Sequence, residues 1–213
     1  MQASVKIKIC GLTREADVDA ALELGADFFG FIVYPKSPRA IDVERAAQLA
    51  ARVPTGRCVL VDVETRADDL RRYADYGFDY YQIHAGLPAL ADHLSVWSTT
   101  VGAECLWVAP RLQPTDAFPE AILAAAQTVV VDTYAPNQIG GTGRVGDWQQ
   151  FADWRQRYPD LQFILAGGLA PDNIVQAVQA TGADHVDVNS GVERQPGVKD
   201  PQQLRDLFRA LKA

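Results

Sequence analysis

The 213-residue chain has few cysteines and lacks a long apolar run. Its three cysteines, Cys10, Cys58 and Cys105, form no CxxC pair, which argues against a disulfide framework and against a zinc cage. No apolar run approaches the roughly 18 to 20 residues of a membrane helix, and the opening MQASVKIKICG lacks the pattern of a secretory leader. We therefore expect a cytoplasmic protein that begins at Met1, with no metal and no membrane association.

The chain also lacks an excess of basic residues. Its formal net charge is −7, whereas a general nucleic-acid binder needs a basic face. With 48% hydrophobic and 22% charged residues, the composition is typical of a folded globular protein. We expect one domain over residues 1–213, in which any anionic ligand is held by a local site.

A short phrase recurs along the chain at LGADFFGFIVY, YGFDYYQIH and TGADHVDVN. In each copy a glycine, Gly25, Gly77 or Gly182, is expected to end a helix in the left-handed conformation, before an Asp and a strand-length apolar run. The glycines are 52 and 105 residues apart, close to two and four units of about 26 residues. Eight such units would fill the chain.

The remaining apolar runs alternate with helical stretches in the same way. Strands are predicted at Val5–Ile9, Phe28–Val33, Arg57–Val63, Tyr80–His84, Glu104–Ala109, Thr128–Asp132, Gln162–Ala166 and His185–Asn189. Helices are predicted at Glu15–Leu24, Val43–Arg52, Ala67–Tyr76, Trp148–Tyr158, Asp172–Thr181 and Pro201–Leu211. The segment 95–104 contains no convincing helix, so we expect irregular connections around strands four and five.

This pattern predicts an α/β fold, a lean (β/α)8 TIM barrel. Continuously apolar strands such as VVV before Asp132 are typical of parallel strands buried on both faces. The alternative is an open doubly wound sheet. Its G-x-G-x-x-G turn is missing, because Gly11 stands alone after the first strand.

Three successive loops predict a phosphate site. Gly140-Gly141-Thr142-Gly143 follows strand six, Gly167-Gly168 follows strand seven, and Ser190-Gly191 follows strand eight. Glycine lets backbone N–H groups approach an anion closely, and this fold commonly binds phosphate at its last loops. Each cluster alone is more often a plain turn, but the three occupy matching positions in the barrel.

Four side chains stand at strand ends, where a barrel places its active site. Cys10 is a base or nucleophile if its surroundings favour the thiolate, and otherwise a small buried hydrophobe. Asp132 ends an apolar strand and must face something polar, although it could simply stabilise its own loop. Arg39, in the rigid KSPR segment, could face a carboxylate, and His84 could be a polar wall residue.

These residues stand in motifs that resemble the phosphoribosylanthranilate isomerase family over nearly the whole chain. The motifs are KICG at 8–11, FIVYPKSPR at 31–39, QIH at 82–84, GGTG at 140–143, AGGLAPDN at 166–173 and NSGVE with PGVKD from 189 onward. The sequence departs from the family at Asp62 and Glu64, which stand in a usually apolar run, and at Ala85 and Asn189. None of these departures touches Cys10, Asp132 or Arg39.

The resemblance implies a cofactor-independent Amadori rearrangement of N-(5-phosphoribosyl)anthranilate to 1-(2-carboxyphenylamino)-1-deoxyribulose 5-phosphate in tryptophan biosynthesis. It implies that Cys10 is the general base, Asp132 the general acid and Arg39 the group that orients the anthranilate carboxylate. His84 would help to bind substrate, and the phosphate would bind at Gly141, Gly143, Gly168, Ser190 and Gly191. An ordinary thiol has a pKa of about 8.5, so Cys10 needs a downward shift to serve as base near neutral pH.

Other interpretations remain open at this stage. A histidine-pathway isomerase performs the same rearrangement with two aspartates, and Cys10 argues against it. A metal-dependent epimerase needs paired histidines at strand ends, and the sequence does not offer them convincingly. An indole-forming synthase needs a lysine at a strand end as its acid, and the sequence has no convincing one. A barrel that only binds a phosphorylated metabolite is the alternative of another class. The partner is expected to be a phosphorylated small molecule, with the chain a monomer or a homodimer.

Overall fold

Eight parallel strands close into a barrel in chain order in the computed structural model, which describes residues 5–113, 116–132 and 148–212. The strands are β1 Lys6–Ile9, β2 Phe28–Ile32, β3 Cys58–Val63, β4 Tyr80–Gly86, β5 Leu106–Arg111, β6 Thr128–Asp132, β7 Gln162–Ala166 and β8 His185–Val188. Strand β1 pairs with both β2 and β8, which closes the barrel. The predicted (β/α)8 architecture is confirmed, and the open sheet is excluded.

Helices follow most of the strands. They are α1 Glu15–Leu24, α2 Val43–Ala50, α3 Ala67–Ala74, α4 Leu87–Val101, α5 Trp148–Arg157, α6 Ile174–Thr181 and α7 Pro201–Lys212. Two short antiparallel strands, β9 Glu193–Gln195 and β10 Val198–Lys199, form a hairpin between β8 and α7. Across the described ranges, no helix combines the length and apolarity required to cross a membrane.

The connection after β4 contradicts the sequence-based expectation. Helix α4 runs from Leu87 to Val101, through the segment where no helix was predicted. Its buried side chains, Leu90, Leu94 and Trp97, are three and four residues apart and form one apolar face. The serines and threonines of SVWSTT lower helix propensity but lie mainly away from that face, so packing outweighs propensity. After β5 the expected irregularity is confirmed, since a 3-10 turn at Glu120–Ala124 is the only helical segment among the described residues between β5 and β6.

The predicted glycine helix ends are also found. Gly25 and Gly182 cap α1 and α6 with φ of 86° and 65°. Gly77 has φ of 73°, although α3 already ends at Ala74. Each glycine turns the chain from a helix into the next strand, as the repeat predicted.

Two apolar clusters form the core. The larger lies between the strands and the helices, and the smaller fills the barrel interior around Cys10, Val61, Val130 and Ile164. Aromatic rings fill the barrel at the N-terminal ends of the strands. They are the rings of Phe28, Tyr80, Trp107 and His185, with neighbouring centroids 4.9 to 5.7 Å apart. The opposite end of the barrel holds polar side chains around an open cavity.

Candidate active site

A cavity of about 200 Å³ opens at the C-terminal ends of the strands. Strands from around the whole barrel contribute to its wall. The described lining residues are Cys10, Ile32, Val61, Gln82, His84, Val130, Asp132, Ala166, Gly167, Gly168, Leu169, Asp187, Asn189 and Ser190. This is the end of the barrel at which the fold builds active sites.

The cavity brings together five of the residues predicted from sequence. They are Cys10, His84, Asp132, Gly168 and Ser190. Arg39 and Gly191 lie beside the cavity, outside its described lining. Gly141 and Gly143, also predicted to bind phosphate, lie outside the residues that the structure describes. Cys10, after β1, and Asp132, at the end of β6, therefore border one space.

Cys10 directly follows β1 and is only 4% exposed. Space for its sulfur comes from Gly30 on β2, where a Cβ atom would lie 2.7 Å from the Cys10 Sγ and 3.1 Å from the Lys8 Nζ. Both distances are too short for a real Cβ contact without a shift of the neighbours. The thiol and the Lys8 ammonium thus border the same small space, which only glycine leaves free.

Lys8 is fully buried inside the barrel. Its Nζ donates to the Asp187 Oδ2 at 2.7 Å, and the two residues are direct register partners on β1 and β8. The other Asp187 carboxylate oxygen is buried and has no hydrogen-bond partner among the described residues. Asp187 lines the cavity, so this oxygen is an acceptor at the cavity wall.

Burial raises the pKa of the Cys10 thiol above its ordinary value, although the charges of Lys8 and Lys199 act in the opposite direction. The negative charge of Asp187 adds to the increase. The downward shift expected from the sequence is therefore not found, because a nearly enclosed thiolate loses its hydration. Burial alone would lower the pKa of Lys8, but Asp187 and Cys10 together raise it, which favours the ammonium form.

His84 lines the cavity from β4. Burial, followed by the positive charges of Lys8 and Arg111, lowers the pKa of His84 to about 4. The imidazole is therefore neutral near pH 7, and its Nε2 lies 2.8 Å from the Gln82 Nε2. A neutral ring can accept or donate one hydrogen bond without adding charge to the site.

Asp132 ends β6 and reaches the cavity from the side opposite Cys10. Its strand is held on β7 by register pairs that run from Thr128 to Asp132. Because the preceding Val129, Val130 and Val131 are buried, the strand end is fixed in place. Asp132 is an exposed residue of the cavity lining.

The loop after β7 presents backbone to the cavity. Gly167 and Gly168 have φ of 93° and 63°, and a Cβ at Gly168 would meet nothing within 4 Å. Asn173 shapes the loop by donating to the Gly168 carbonyl and accepting from the Ala170 N–H, both at 2.9 Å. Beside it, Gly191 packs so closely on Leu169 that a Cβ would lie 2.0 Å from the Leu169 carbonyl oxygen. Gly191 therefore joins the two last loops.

Arg39 lies at the rim of the cavity in a network of buried charges. Its Cδ would be 2.8 Å from a Cβ at Gly11, and the Asn189 Oδ1, from the cavity lining, would be 2.6 Å from the same point. The guanidinium donates through Nε and Nη2 to Glu193, at 3.0 and 2.7 Å. Buried Lys199 donates to Glu193 and to Asn189, both at 3.0 Å.

This network fixes the charges at the rim. Burial alone would raise the pKa of Glu193, but Arg39 and Lys199 hold it below its ordinary value. Glu193 uses only part of the Arg39 donor set, since a guanidinium has five N–H groups. Glu193 therefore occupies one edge of the guanidinium, through Nε and Nη2.

Several residues of the site were missed from the sequence, above all Lys8, Asp187 and Glu193. Lys8 and Asp187 lie inside strands, whereas site residues were expected at the C-terminal end of each strand or just after it. Alternation of charged and apolar residues in KIKI and HVDV was the pattern that could have found them. Within the described ranges, no group of three or more His, Cys, Asp or Glu side chains is arranged to hold a metal ion.

Comparison with known proteins gives a consistent result. Residues 7–210 match the family model for N-(5'-phosphoribosyl)anthranilate isomerase. The isomerase of this name from Chromohalobacter salexigens is 39% identical over 204 residues, which cover 94% of this chain and 90% of that protein.

Solved structures agree over the same length. TrpF from Jonesia denitrificans superposes with a TM-score of 0.80 at 32% identity and covers 98% of this chain and 97% of its own. A phosphoribosylanthranilate isomerase solved with reduced 1-(o-carboxyphenylamino)-1-deoxyribulose 5-phosphate is 26% identical, with a TM-score of 0.73 and 98% coverage of both chains.

Proposed function

The chain belongs to the N-(5'-phosphoribosyl)anthranilate isomerase family, and from this premise we propose that Cys10 and Asp132 are its general base and general acid. The enzyme is an isomerase of tryptophan biosynthesis that converts N-(5-phosphoribosyl)anthranilate to 1-(2-carboxyphenylamino)-1-deoxyribulose 5-phosphate. The observation that carries the assignment of roles is the shared cavity, which Cys10 and Asp132 line from opposite sides.

The reaction needs one proton donor and one proton acceptor. Asp132 gives a proton to the furanose ring oxygen, and the ring opens to a Schiff base. Cys10, as the thiolate, then takes the proton from C2′. The enolamine that results becomes the ketone when its hydroxyl proton is lost and C1′ gains a proton. The proposal places the two side chains on opposite sides of the sugar, and their positions on one cavity wall support it.

Binding groups surround this pair. Arg39 binds the anthranilate carboxylate through the donors that Glu193 does not occupy. His84, neutral near pH 7, forms a hydrogen bond to the substrate. Gly168, Ser190 and Gly191 bind the phosphate through backbone N–H groups, and Gly141 and Gly143 complete this site from the loop after β6.

Two substitutions test the catalytic pair. In Cys10→Ala and Asp132→Asn, we expect kcat to fall by about 10² to 10⁴ with little change in the circular dichroism spectrum. The assay follows the loss of fluorescence of phosphoribosylanthranilate made in situ. Cys58→Ala is the matched control, because Cys58 faces the Ala50 carbonyl away from the cavity and should keep its turnover. Near-normal turnover in either variant would remove the role assigned to that residue.

Further proposals concern the working form of the protein. A thiol base must stay reduced, so we place the enzyme in the cytoplasm. Residues 1–213 act as one catalytic domain, either as a monomer or as a homodimer. Light scattering after size-exclusion chromatography distinguishes the two forms.

A further inference from the structure

We propose that Lys8 is a positioning residue for Cys10, whose buried ammonium group stabilises the thiolate that removes the substrate proton. This inference rests on the proposed role of Cys10 as base. It assigns a function to a charged side chain that the catalytic pair alone leaves unexplained. A buried lysine in a barrel interior is costly unless its charge is compensated.

The geometry brings the two groups together. Gly30 leaves one space that both the Cys10 Sγ and the Lys8 Nζ border, at 2.7 and 3.1 Å from the position of a Cβ. Lys8 and Cys10 are two residues apart at the end of β1, so both side chains point into the barrel. The ion pair with Asp187 holds the ammonium group, which is shielded from solvent.

The charges around the thiol come from several elements. Lys8 lies on β1, the strand that Cys10 follows. Asp187 lies on β8, and Lys199 lies on the hairpin. His84 from β4 and Asp132 from β6 line the same cavity. The effect of Lys8 on the thiolate is larger than that of Lys199, and it opposes both burial and Asp187. Lys8 is therefore the main group that makes a thiolate attainable in this enclosed position.

The chemistry is a simple charge balance. The thiol loses its proton to solvent before the substrate binds, and the sulfur keeps the electron pair. That pair takes the proton from C2′, so a neutral thiol and the enolamine form together. Lys8 keeps its own protons throughout, because Asp187 retains the ammonium form. Its contribution is electrostatic and increases as water leaves the cavity.

The decisive variant is Lys8→Gln, whose amide can still donate to Asp187. The rate of alkylation of Cys10 by iodoacetamide is measured against pH, and peptide mass spectrometry separates Cys10 from the other two cysteines. We expect the midpoint of Cys10 alkylation to rise by about one to three pH units. The acidic limb of the kcat/KM profile should rise by the same amount. Lys6→Gln, on the same strand but exposed, is the matched control and should leave both midpoints in place.

A second variant keeps the test decisive if Lys8→Gln does not fold. Lys8→Met with Asp187→Asn removes both charges, and the alkylation midpoint should still rise, by less, because the effect of Lys8 exceeds that of Asp187. An alkylation midpoint equal to that of the wild type in the folded variants would overturn the inference. If the alkylation midpoint rises while the acidic limb of kcat/KM stays fixed, the effect of Lys8 on the thiol stands and the role of Cys10 as base is wrong.

Discussion

Gly30 shows how a single missing side chain shapes the site. It lies in the middle of β2, where glycine normally weakens a strand, and its φ is not in the left-handed region. Its conformation therefore does not require glycine. The requirement is space, since the Cys10 Sγ, the Cys10 Cα and the Lys8 Nζ all lie within 3.1 Å of the place where a Cβ would stand.

Replacing Gly30 by alanine should harm activity more than stability. The added methyl group displaces the thiol or the ammonium, and a misplacement of about 1 Å can cost about 100-fold in rate. We expect kcat/KM to fall by about 100-fold, and the free energy of unfolding by about 1 to 3 kcal/mol. Steady-state kinetics and urea unfolding measure the two effects.

Gly86→Ala is the matched control for this prediction. A Cβ at Gly86, at the end of β4, meets its nearest atoms at 3.8 Å, an ordinary contact. Its kcat/KM should stay within about twofold of the wild type. Equal losses of activity in the two variants would mean that the space beside Cys10 is not what Gly30 provides.

At the scale of elements, the hairpin of β9 and β10 holds Arg39 from outside the barrel. Glu193 begins β9 and Lys199 ends β10, and both side chains are almost completely buried. The hairpin is fixed in turn by Thr13, which donates to the Gly197 carbonyl, and by Asp17, which accepts from the Lys199 N–H. The hairpin therefore fixes the orientation of the guanidinium. In the role proposed for Arg39, this reduces the entropy that binding of substrate costs.

Glu193→Gln should accordingly raise KM more than it lowers kcat. The amide keeps the shape of the side chain but loses the charge-assisted bonds to Arg39 and leaves Lys199 less compensated. We expect KM for phosphoribosylanthranilate to rise by about tenfold, with kcat within about threefold. Glu15→Gln serves as control, because Glu15 pairs with Arg45 and Arg52 on an exposed helix surface. A KM that is the same in both variants would separate the hairpin from substrate binding.

The sequence predicts the elements better than it predicts their pairing. The bounds of α1, β6 and β7 agree with the structure because their apolar patterns and flanking turns are unambiguous. Helix α4 was missed because its serines and threonines lower helix propensity, although they lie mainly away from its buried face. Cys10, directly after β1, and Asp132, the last residue of β6, were predicted from their positions at strand ends, where the fold places active-site groups. Their catalytic roles stay predictions.

The pair of Lys8 and Asp187 could not be predicted in the same way. The two residues are 179 positions apart, and they meet only because β1 and β8 close the barrel in one particular register. A shift of one residue would turn Asp187 out of the barrel interior. Spacing along a chain does not determine that register, so inner charges of this kind require the structure.

For the whole molecule, the two ends of the barrel differ in their interior: one holds an open polar cavity, and the other is packed with aromatic rings. The C-terminal end holds the cavity, and the N-terminal end is filled by aromatic rings around His185. His185 is fully buried, and its Nε2 has no hydrogen-bond partner among the described residues. Burial, followed by the charges of Lys8 and Lys6, lowers the pKa of His185 to about 3. The fold therefore tolerates this ring only in its neutral form.

A depressed histidine pKa makes stability depend on pH in a defined direction. In the unfolded chain His185 binds a proton below about pH 6.5, whereas in the folded protein it does so only near pH 3. The contribution of neutral His185 to the stability of the folded protein is thus complete above pH 6.5 and is lost as the pH falls toward 3. Between pH 7 and pH 4 this one residue should account for about 3 kcal/mol of the decrease in the free energy of unfolding.

His185→Gln should remove that part of the pH dependence. The glutamine does not titrate, so its free energy of unfolding should fall by about 3 kcal/mol less than that of the wild type between pH 7 and pH 4. Urea unfolding at a series of pH values gives both curves. Lost packing against Phe28 will lower the stability of the variant at every pH, but a constant offset does not change the slope.

His93→Gln is the matched control, which shows whether the change in pH dependence of the free energy of unfolding is specific to the buried His185 ring. His93 lies exposed on α4, so its variant should follow the wild-type curve. His84 is present in all three proteins, and its own depressed pKa of about 4 therefore contributes equally to each. Parallel curves for the wild type and His185→Gln would mean that the barrel end opens to water before it unfolds. The proton would then enter a hydrated ring rather than a packed one, and His185 would not contribute to unfolding by acid.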